Sequence, residues 1–171
     1  MIVHAASETC IRHVFRHLPP ERVAEMSATS WQDNAELIGQ DLVMLCQASA
    51  HEGRPVPMFM LRPNGELPCA IVGVVPFGPG LGGMIWAATP EWPDLAIASH
   101  RWWRTFFLPK VLQPVYRRVE FTALAGDDAS RRWLKLLGFT EEGIAYRQGK
   151  RGEDFVHCAW LNPDPKVGLH V

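Results

Sequence analysis

The stretch from Leu67 to Pro90 contains no charged residue, and it constrains the fold more than any other part of the chain. An uncharged segment of this length could cross a membrane as a helix. Pro68, Pro76 and Pro79, together with five glycines, oppose a continuous helix. Two buried β-strands joined by a turn explain the stretch better, and we predict that the protein does not associate with a membrane.

The sequence GPGLGG at 78–83 has the spacing G-x-G-x-x-G of dinucleotide-binding loops. Such a loop must follow a strand and open a helix whose N–H groups meet the pyrophosphate. A strand over 69–77 satisfies the first condition. The segment 84–90 is short, apolar and closed by Pro90, and it carries no helix start signal. The glycines therefore predict a β-hairpin turn without a nucleotide.

The length of 171 residues predicts one domain over 1–162, followed by a loose tail over 163–171. A formal net charge of −1 argues against nucleic acid as a partner. The four cysteines form no C-x-x-C pair, which predicts reduced thiols in a cytoplasmic protein. The opening residues do not show the pattern of a signal peptide.

The hydrophobic periodicity predicts a strand, two helices, three strands, a helix, a strand, a helix and two final strands, which is a mixed α/β arrangement. Asn64-Gly65 is predicted to form a hairpin turn. A central helix should run to about Leu108, and Pro109 and Pro114 should end or kink it. The inward residues expected on this helix are Trp103, Phe106 and Phe107, and those on the next helix, which starts at Asp127, are Trp133, Leu136 and Leu137. The last two strands are expected at about 141–148 and 154–161.

The segment DDASRRWLKLLGFTEEG at 127–143 resembles the GNAT acyltransferase superfamily, whose members transfer an acyl group from coenzyme A to an amine. The family typically shows Asn, a small residue and then Tyr-Glu-Lys-x-Gly-Phe, and the match here is Leu136-Leu137-Gly138-Phe139. The part Arg-Trp-Leu-Lys-Leu-Leu-Gly-Phe (132–139) looks most like divergent GNAT-like proteins of tailed phages. The resemblance implies a central, mostly antiparallel sheet of six or seven strands, flanked by about four helices. Strands 84–89 and 117–125 should be parallel neighbours in it.

The resemblance also implies acetyl-CoA as a cosubstrate. The fourth strand would pair with the pantetheine arm, and the segment PDLAIA at 93–98 takes the place of the pyrophosphate loop. The residues assigned to the cofactor in this way are Trp86, Ala87, Ala88, Ala96, Ile97, Ala98, Asp127 and Ser130. Pro93 and Ala96 replace the Arg/Gln and the Gly of the family pattern, and Asp127 replaces its Asn.

Two residues are candidates for proton transfer. Glu120 lies on the strand beside the implied reaction cleft and could accept the proton of the amine, directly or through a water. The alternative is a surface carboxylate paired with Arg118 or Arg147. Leu134 stands where many family members have the tyrosine that protonates the leaving thiolate. Tyr146 could take over that role, and Leu134→Tyr should raise turnover if the site is otherwise competent.

Other reactive side chains have simpler explanations. Cys10, His13 and His17 recur at i, i+3 and i+7 of a helix, but no fourth ligand is apparent and Arg16 is near, so we predict no metal. His157 and Cys158 are adjacent on a strand, so they should face opposite sides and not act as a pair.

The resulting hypothesis is an acyl-CoA-dependent N-acyltransferase, with a small molecule or a protein as the amine acceptor and with acetyl as the acyl group. The alternative is a catalytically inactive phage structural or interaction protein with the GNAT fold, located in the virion rather than the cytoplasm. The sequence leaves open the acceptor and the oligomeric state, with a homodimer as one option.

Overall fold

The computed structural model describes residues 1–53, 56–63 and 67–164. Within them the chain forms seven strands and five α-helices, with one 3₁₀-helix and one π-helix. The elements are β1 (Ile2–Ala5), α1 (Glu8–Arg16), α2 (Pro20–Ala28), α3 (Ala35–His51), β2 (Met58–Arg62), β3 (Ala70–Gly78), β4 (Leu81–Ala88), the 3₁₀-helix (Trp92–Leu95), α4 (Ala96–Trp102), the π-helix (Trp103–Leu112), β5 (Arg118–Leu124), α5 (Asp128–Leu136), β6 (Thr140–Ala145) and β7 (Phe155–Leu161). No helix in these residues is both long and apolar enough to cross a membrane.

The strands form one seven-stranded sheet in the order β1-β2-β3-β4-β5-β7-β6. The strand pairs β1–β2, β2–β3, β5–β7 and β6–β7 are antiparallel. β4 and β5 are parallel, with Leu81 opposite Arg118 and Gly83 opposite Glu120. The predicted fold class and the parallel neighbours are therefore confirmed, with five α-helices in place of about four. The residues of β4 that pair with β5 are 81–83, which precede the predicted strand 84–89 and were assigned to the turn.

The glycine-rich segment forms the turn that its composition predicts. β3 ends at Gly78 and β4 begins at Leu81, so Pro79 and Gly80 alone connect neighbouring strands. A connection this short can join only antiparallel strands. Gly80 has a φ of 69°, which a residue with a side chain adopts at a cost. Its carbonyl accepts hydrogen bonds from the N–H groups of Arg117 and Arg118, which fixes the start of β5. The other predicted turn, Asn64-Gly65, lies outside the described residues.

The chain divides into two compact units. The first comprises Met1–Val75 and Ile85–Ser99, and the second comprises Pro76–Met84 and the described residues from His100 onward. The expected single domain over 1–162 stays a prediction. In the first unit, α1 and α3 pack on apolar residues of β2, β3 and β4. Gly39 allows this packing, because a Cβ at that position would lie 2.8 Å from the Cβ of Phe15.

In the second unit, the π-helix contacts the end of α5 through Trp103. Trp103 is fully buried, stacks on Phe107 and donates a hydrogen bond from Nε1 to the carbonyl of Leu137 at 3.0 Å. Leu134 of α5 and Leu137 at its C-cap are buried, whereas Leu136 is 60% exposed. The prediction that Leu136 points inward is therefore wrong.

The central helix also differs from its predicted form. It continues through Pro109 as a π-helix that ends at Leu112, so the expected end at Leu108 is wrong. The N–H of Gln113 bonds to the carbonyl of Leu108, a π-type step of five residues. Such wide turns bury residues four and five apart, namely Trp103, Phe107 and Leu112. Phe106, which a 3.6-residue period places inward, is 41% exposed.

Candidate active site

An open cleft of about 290 Å³ is lined by residues of strands β5, β6 and β7. We call it the carboxylate cleft, and its lining residues are Arg118, Glu120, Glu142, Gly143, Ile144, Ala145, His157 and Cys158. The alternation of β5 explains why charged groups gather here. Val119 and Ala123 are buried, and Arg118 and Glu120 belong to the opposite face of the same strand.

Arg118 holds two carboxylates at once. Its Nε donates to Oε1 of Glu120 at 2.6 Å, and its Nη1 donates to Oε1 of Glu142 at 2.8 Å. Its Nη2 donates to the second oxygen of Glu142, so that this contact is bidentate. These hydrogen bonds raise the pKa of Arg118 and lower the pKa of Glu142 below its usual range. The cleft therefore contains one guanidinium and two carboxylates.

Glu120 is bound through only one of its oxygens. Oε1 accepts from Arg118, and across residues 1–53, 56–63 and 67–164 the second oxygen, Oε2, has no hydrogen-bond partner in the protein. The side chain is 43% exposed. The ion pair that the sequence offered as the alternative role of Glu120 is thus present, and it occupies one of the two carboxylate oxygens.

A β-bulge brings Glu142 to this site. In the β6–β7 register, Glu141 is opposite Cys158 and Gly143 is opposite His157, which leaves Glu142 as an extra residue on β6. A bulge redirects side chains and is common beside functional sites. Glu141 bonds instead to Arg131 of α5, at 2.8 Å from each of two guanidinium nitrogens. Sequence reasoning missed Glu142, although the run Glu141-Glu142-Gly143 was visible.

His157 and Cys158 occupy opposite faces of β7, as predicted, since His157 is opposite Thr122 and Cys158 is opposite Phe121. His157 lies 2.9 Å from the side-chain oxygen of Gln148 through Nε2. Cys158 is 2% exposed, and burial raises the pKa of its thiol. The thiol is therefore a poor nucleophile at neutral pH.

The proposed proton donor does not lie on a strand. β6 ends at Ala145, and Tyr146 occupies the following turn, where it is 75% exposed. The strand cannot continue to residue 148 because Arg147 has a φ of 56°. The N–H of Arg147 donates to Oδ1 of Asp154 at 2.7 Å, which stabilises this turn. Leu134, the residue at the family's tyrosine position, is buried in the core with 2% exposure.

Asp127 and Ser130 come together at the start of α5. Oδ1 of Asp127 accepts a hydrogen bond from the N–H of Ser130 at 3.1 Å, so Asp127 is the N-cap of the helix. Aspartate suits that position because its carboxylate satisfies a backbone donor without a helical partner. Capping accounts for these two residues, and their role toward a cofactor stays a prediction.

The remaining cofactor candidates belong to the first unit. Trp86, Ala87 and Ala88 lie on β4, and Ala87 is 2% exposed. The ring of Trp86 meets that of Trp92 edge to face, with centroids 5.0 Å apart.

Ala96, Ile97 and Ala98 open α4, and Ile97 is 80% exposed. The 3₁₀-helix leads directly into α4, and the N–H of Ala96 donates to the carbonyl of Pro93. One of the backbone donors that a pyrophosphate would use is therefore already bonded.

Cys10, His13 and His17, at the first helix, make contacts with neighbouring residues. The rings of His13 and His17 lie 4.4 Å apart, and Ser7 Oγ donates to the sulfur of Cys10 at 3.2 Å. Burial, and then the positive charges of His17 and Arg16, lower the pKa of His13. In the part of the chain that the structure describes, no group of three or more His, Cys, Asp or Glu side chains is arranged to hold a metal ion.

Comparison with solved structures identifies the fold. A spermidine N-acetyltransferase from Vibrio cholerae, solved with CoA and spermine, superposes with a TM-score of 0.69 and 12% identity over 94% of this chain and 95% of that chain. A ribosomal-protein-alanine N-acetyltransferase from Brucella melitensis gives 0.62 and 14% over 94% and 99%. A related ribosomal-protein alanine acetyltransferase from Vibrio fischeri gives 0.62 and 17% over 95% and 93%.

The sequence itself has no comparable match. No protein-family profile matches the chain, and no curated protein sequence is significantly similar to it. Identities of 12–17% with full-length coverage establish the architecture and leave the chemistry to be argued from the residues. The chain therefore has the fold of the GNAT N-acetyltransferases.

Proposed function

We propose that the protein is an acyl-CoA-dependent N-acyltransferase that moves an acetyl group from acetyl-CoA to an amine. The acceptor is a small molecule or an amine of a protein, in keeping with the spermidine and ribosomal-protein alanine substrates named for the structural relatives. A location in the cytoplasm, where acetyl-CoA is formed and used, belongs to the same proposal.

The observation that carries this proposal is the open oxygen of Glu120. Glu120 is opposite Gly83 in the parallel β4–β5 pair, and the family resemblance implies that the reaction cleft opens beside β5. A carboxylate here can take the proton that an ammonium must lose before its nitrogen attacks a carbonyl. Its position in the carboxylate cleft, with 43% of the side chain exposed, gives an amine access to it.

The ammonium loses one proton to Glu120, directly or through a water, and the amine nitrogen then attacks the thioester carbonyl. The carbon–sulfur bond breaks to release the coenzyme A thiolate, and the second proton of the nitrogen passes to solvent. Positioning and backbone donors to the oxyanion supply most of the rate. Tyr146 is the proposed donor of a proton to the thiolate, because the buried Leu134 has none to give.

The cofactor would bind along Trp86, Ala87 and Ala88 through the backbone of β4. Its pyrophosphate would approach the small residues Ala96 and Ala98 and the exposed Ile97 at the start of α4. Asp127 and Ser130 complete the set that the family resemblance assigns. Coenzyme A supplies the activated thioester, and the protein supplies orientation and a proton acceptor.

A non-catalytic role is the second candidate, and two observations favour it. The position of the family's acid is a core leucine, and the N–H of Ala96 is already bonded to Pro93. A protein with these features could keep the GNAT fold as a structural or interaction module, as the phage-type resemblance suggests.

One experiment separates the two. Acetyl-CoA at millimolar concentration should raise the thermal midpoint, since a ligand of the native state stabilises it by about 2.7 kcal/mol at 100 times its Kd. Release of free thiol would then be followed with a panel of polyamines, amino-terminal-alanine peptides and lysine peptides. E120Q should bind acetyl-CoA normally and transfer about 100-fold more slowly.

The control is Glu21→Gln, which removes an exposed carboxylate of α2 and should transfer at the wild-type rate. Binding of acetyl-CoA without transfer to any amine would favour the non-catalytic role. Full activity in E120Q would remove Glu120 from the mechanism.

A further inference from the structure

The bulged residue Glu142 makes no contact that the proposed reaction needs, yet it forms the stronger half of the Arg118 network. Its carboxylate takes both terminal nitrogens of the guanidinium, whereas Glu120 takes only Nε. A planar guanidinium presents a limited set of donors in fixed directions. In this orientation only the Nε–H of Arg118 bonds to Glu120, and it bonds to one oxygen.

We propose that Glu142 is a positioning residue that holds Arg118 away from Glu120, so that one oxygen of Glu120 stays open to the acceptor amine. The inference rests on the proposed function, in which Glu120 receives the proton. Without Glu142, the guanidinium would turn its terminal nitrogens toward the remaining carboxylate, since bidentate pairing is the favoured geometry. Glu120 would then be covered on both oxygens.

The surroundings of Glu120 support a role for Glu142 in particular. The charged or titratable groups that line the same cleft are Arg118 on β5, Glu142 on β6, and His157 and Cys158 on β7. His157 has its own partner in Gln148, and the thiol of Cys158 is buried. Among these groups, Arg118 is thus the cation that pairs with Glu120. Glu142 competes with Glu120 for the N–H donors of Arg118.

The chain offers a matched control one residue away. Glu141 also pairs with an arginine through two contacts, but that arginine is Arg131 of α5, and the cleft is not lined by either residue. E141Q and E142Q therefore remove the same charge from the same edge strand. They differ in which arginine is released.

With an amine substrate, E142Q should lower kcat/KM about tenfold, while E141Q stays within about twofold of wild type. The affinity for acetyl-CoA should not change in either variant. Adding Arg118→Gln to E142Q removes the released guanidinium, so the double variant should be at least about threefold faster than E142Q alone. Equal rates for E142Q and E141Q, or no recovery in the double variant, would overturn the proposal.

A measurement without substrate keeps the two proposals apart. A crystal structure of free E142Q should show a terminal nitrogen of Arg118 bonded to the second oxygen of Glu120, whereas E141Q should keep the wild-type arrangement. If wild type acetylates nothing but this rearrangement appears, the proposed function fails and the role of Glu142 stands. An unchanged Arg118 in E142Q would refute the role of Glu142 whatever the activity.

Discussion

The segment proposed to bind the cofactor, residues 86–98 (the cofactor segment), and the carboxylate cleft offer a ligand different chemical groups. The cofactor segment has no basic side chain, and its two carboxylates, Glu91 and Asp94, repel an anion, so an anion would depend mainly on its backbone N–H groups. The carboxylate cleft contains three charged side chains joined by hydrogen bonds. Backbone donors survive substitutions that keep the local shape, whereas the cleft depends on individual residues. The departures from the family pattern in the cofactor segment therefore weigh less than any change at Glu120.

The first test, with the largest expected effect, introduces a larger and charged side chain into the cofactor segment. Ala96→Glu should weaken acetyl-CoA binding by about 100-fold or more, because it adds bulk and a negative charge beside the proposed pyrophosphate position. Calorimetry would give the affinity, and Ala96→Ser is the control of small volume. Unchanged affinity in Ala96→Glu would place the anion elsewhere.

The second test concerns Leu134, which sequence reasoning treated as a vacant acid position. Since its side chain is buried, Leu134→Tyr should lower the free energy of unfolding by about 1–3 kcal/mol through overpacking. Chemical denaturation would measure the loss, and Leu134→Met provides a comparison of similar volume. A variant of full stability and higher turnover would instead support the original expectation that tyrosine restores the acid.

The third test concerns Tyr146. Removing its hydroxyl with Tyr146→Phe should reduce kcat about tenfold with KM nearly unchanged, if this hydroxyl protonates the thiolate. The residue is exposed, so the fold should not respond, and circular dichroism would verify that. Equal kcat in both proteins would mean that the thiolate leaves without an acid from Tyr146.

The smallest effect expected is a pH dependence of stability. Hydrogen bonds from Arg131 and Arg118 lower the pKa values of Glu141 and Glu142 in the folded chain. Their contribution is therefore complete above the unfolded pKa of about 4.3 and is lost as the pH falls through the lowered folded values. The urea midpoint of wild type should fall more steeply below about pH 5 than that of E141Q/E142Q. Parallel curves would show that these exposed pairs add nothing to stability.

Local patterns in the sequence were sufficient for much of the fold. Two strands and a turn were correctly predicted for the uncharged stretch, because the positions of glycine and proline determine the turn without contacts from distant residues. Asp127 was recognised as a helix start for the same reason, because an N-cap bond joins residues three apart.

The predictions were wrong where tertiary packing selects among several local arrangements that the sequence equally allows. α5 carries apolar residues at 133, 134, 136 and 137, so periodicity alone could not select the buried face. The π-helix has a longer period than the one assumed, which is why Phe106 was misplaced. Glu142 reaches Arg118 through a bulge, and a bulge is defined by the register with another strand.

The same bulge has a consequence for solubility. β6 is the last strand in the sheet order, and an outer strand offers unpaired backbone groups to any other chain at high concentration. Two adjacent glutamates and an interrupted ladder make β6 a poor template for such growth. A substitution that removes these negative charges or the bulge would therefore also increase the tendency of the protein to form intermolecular β-sheet.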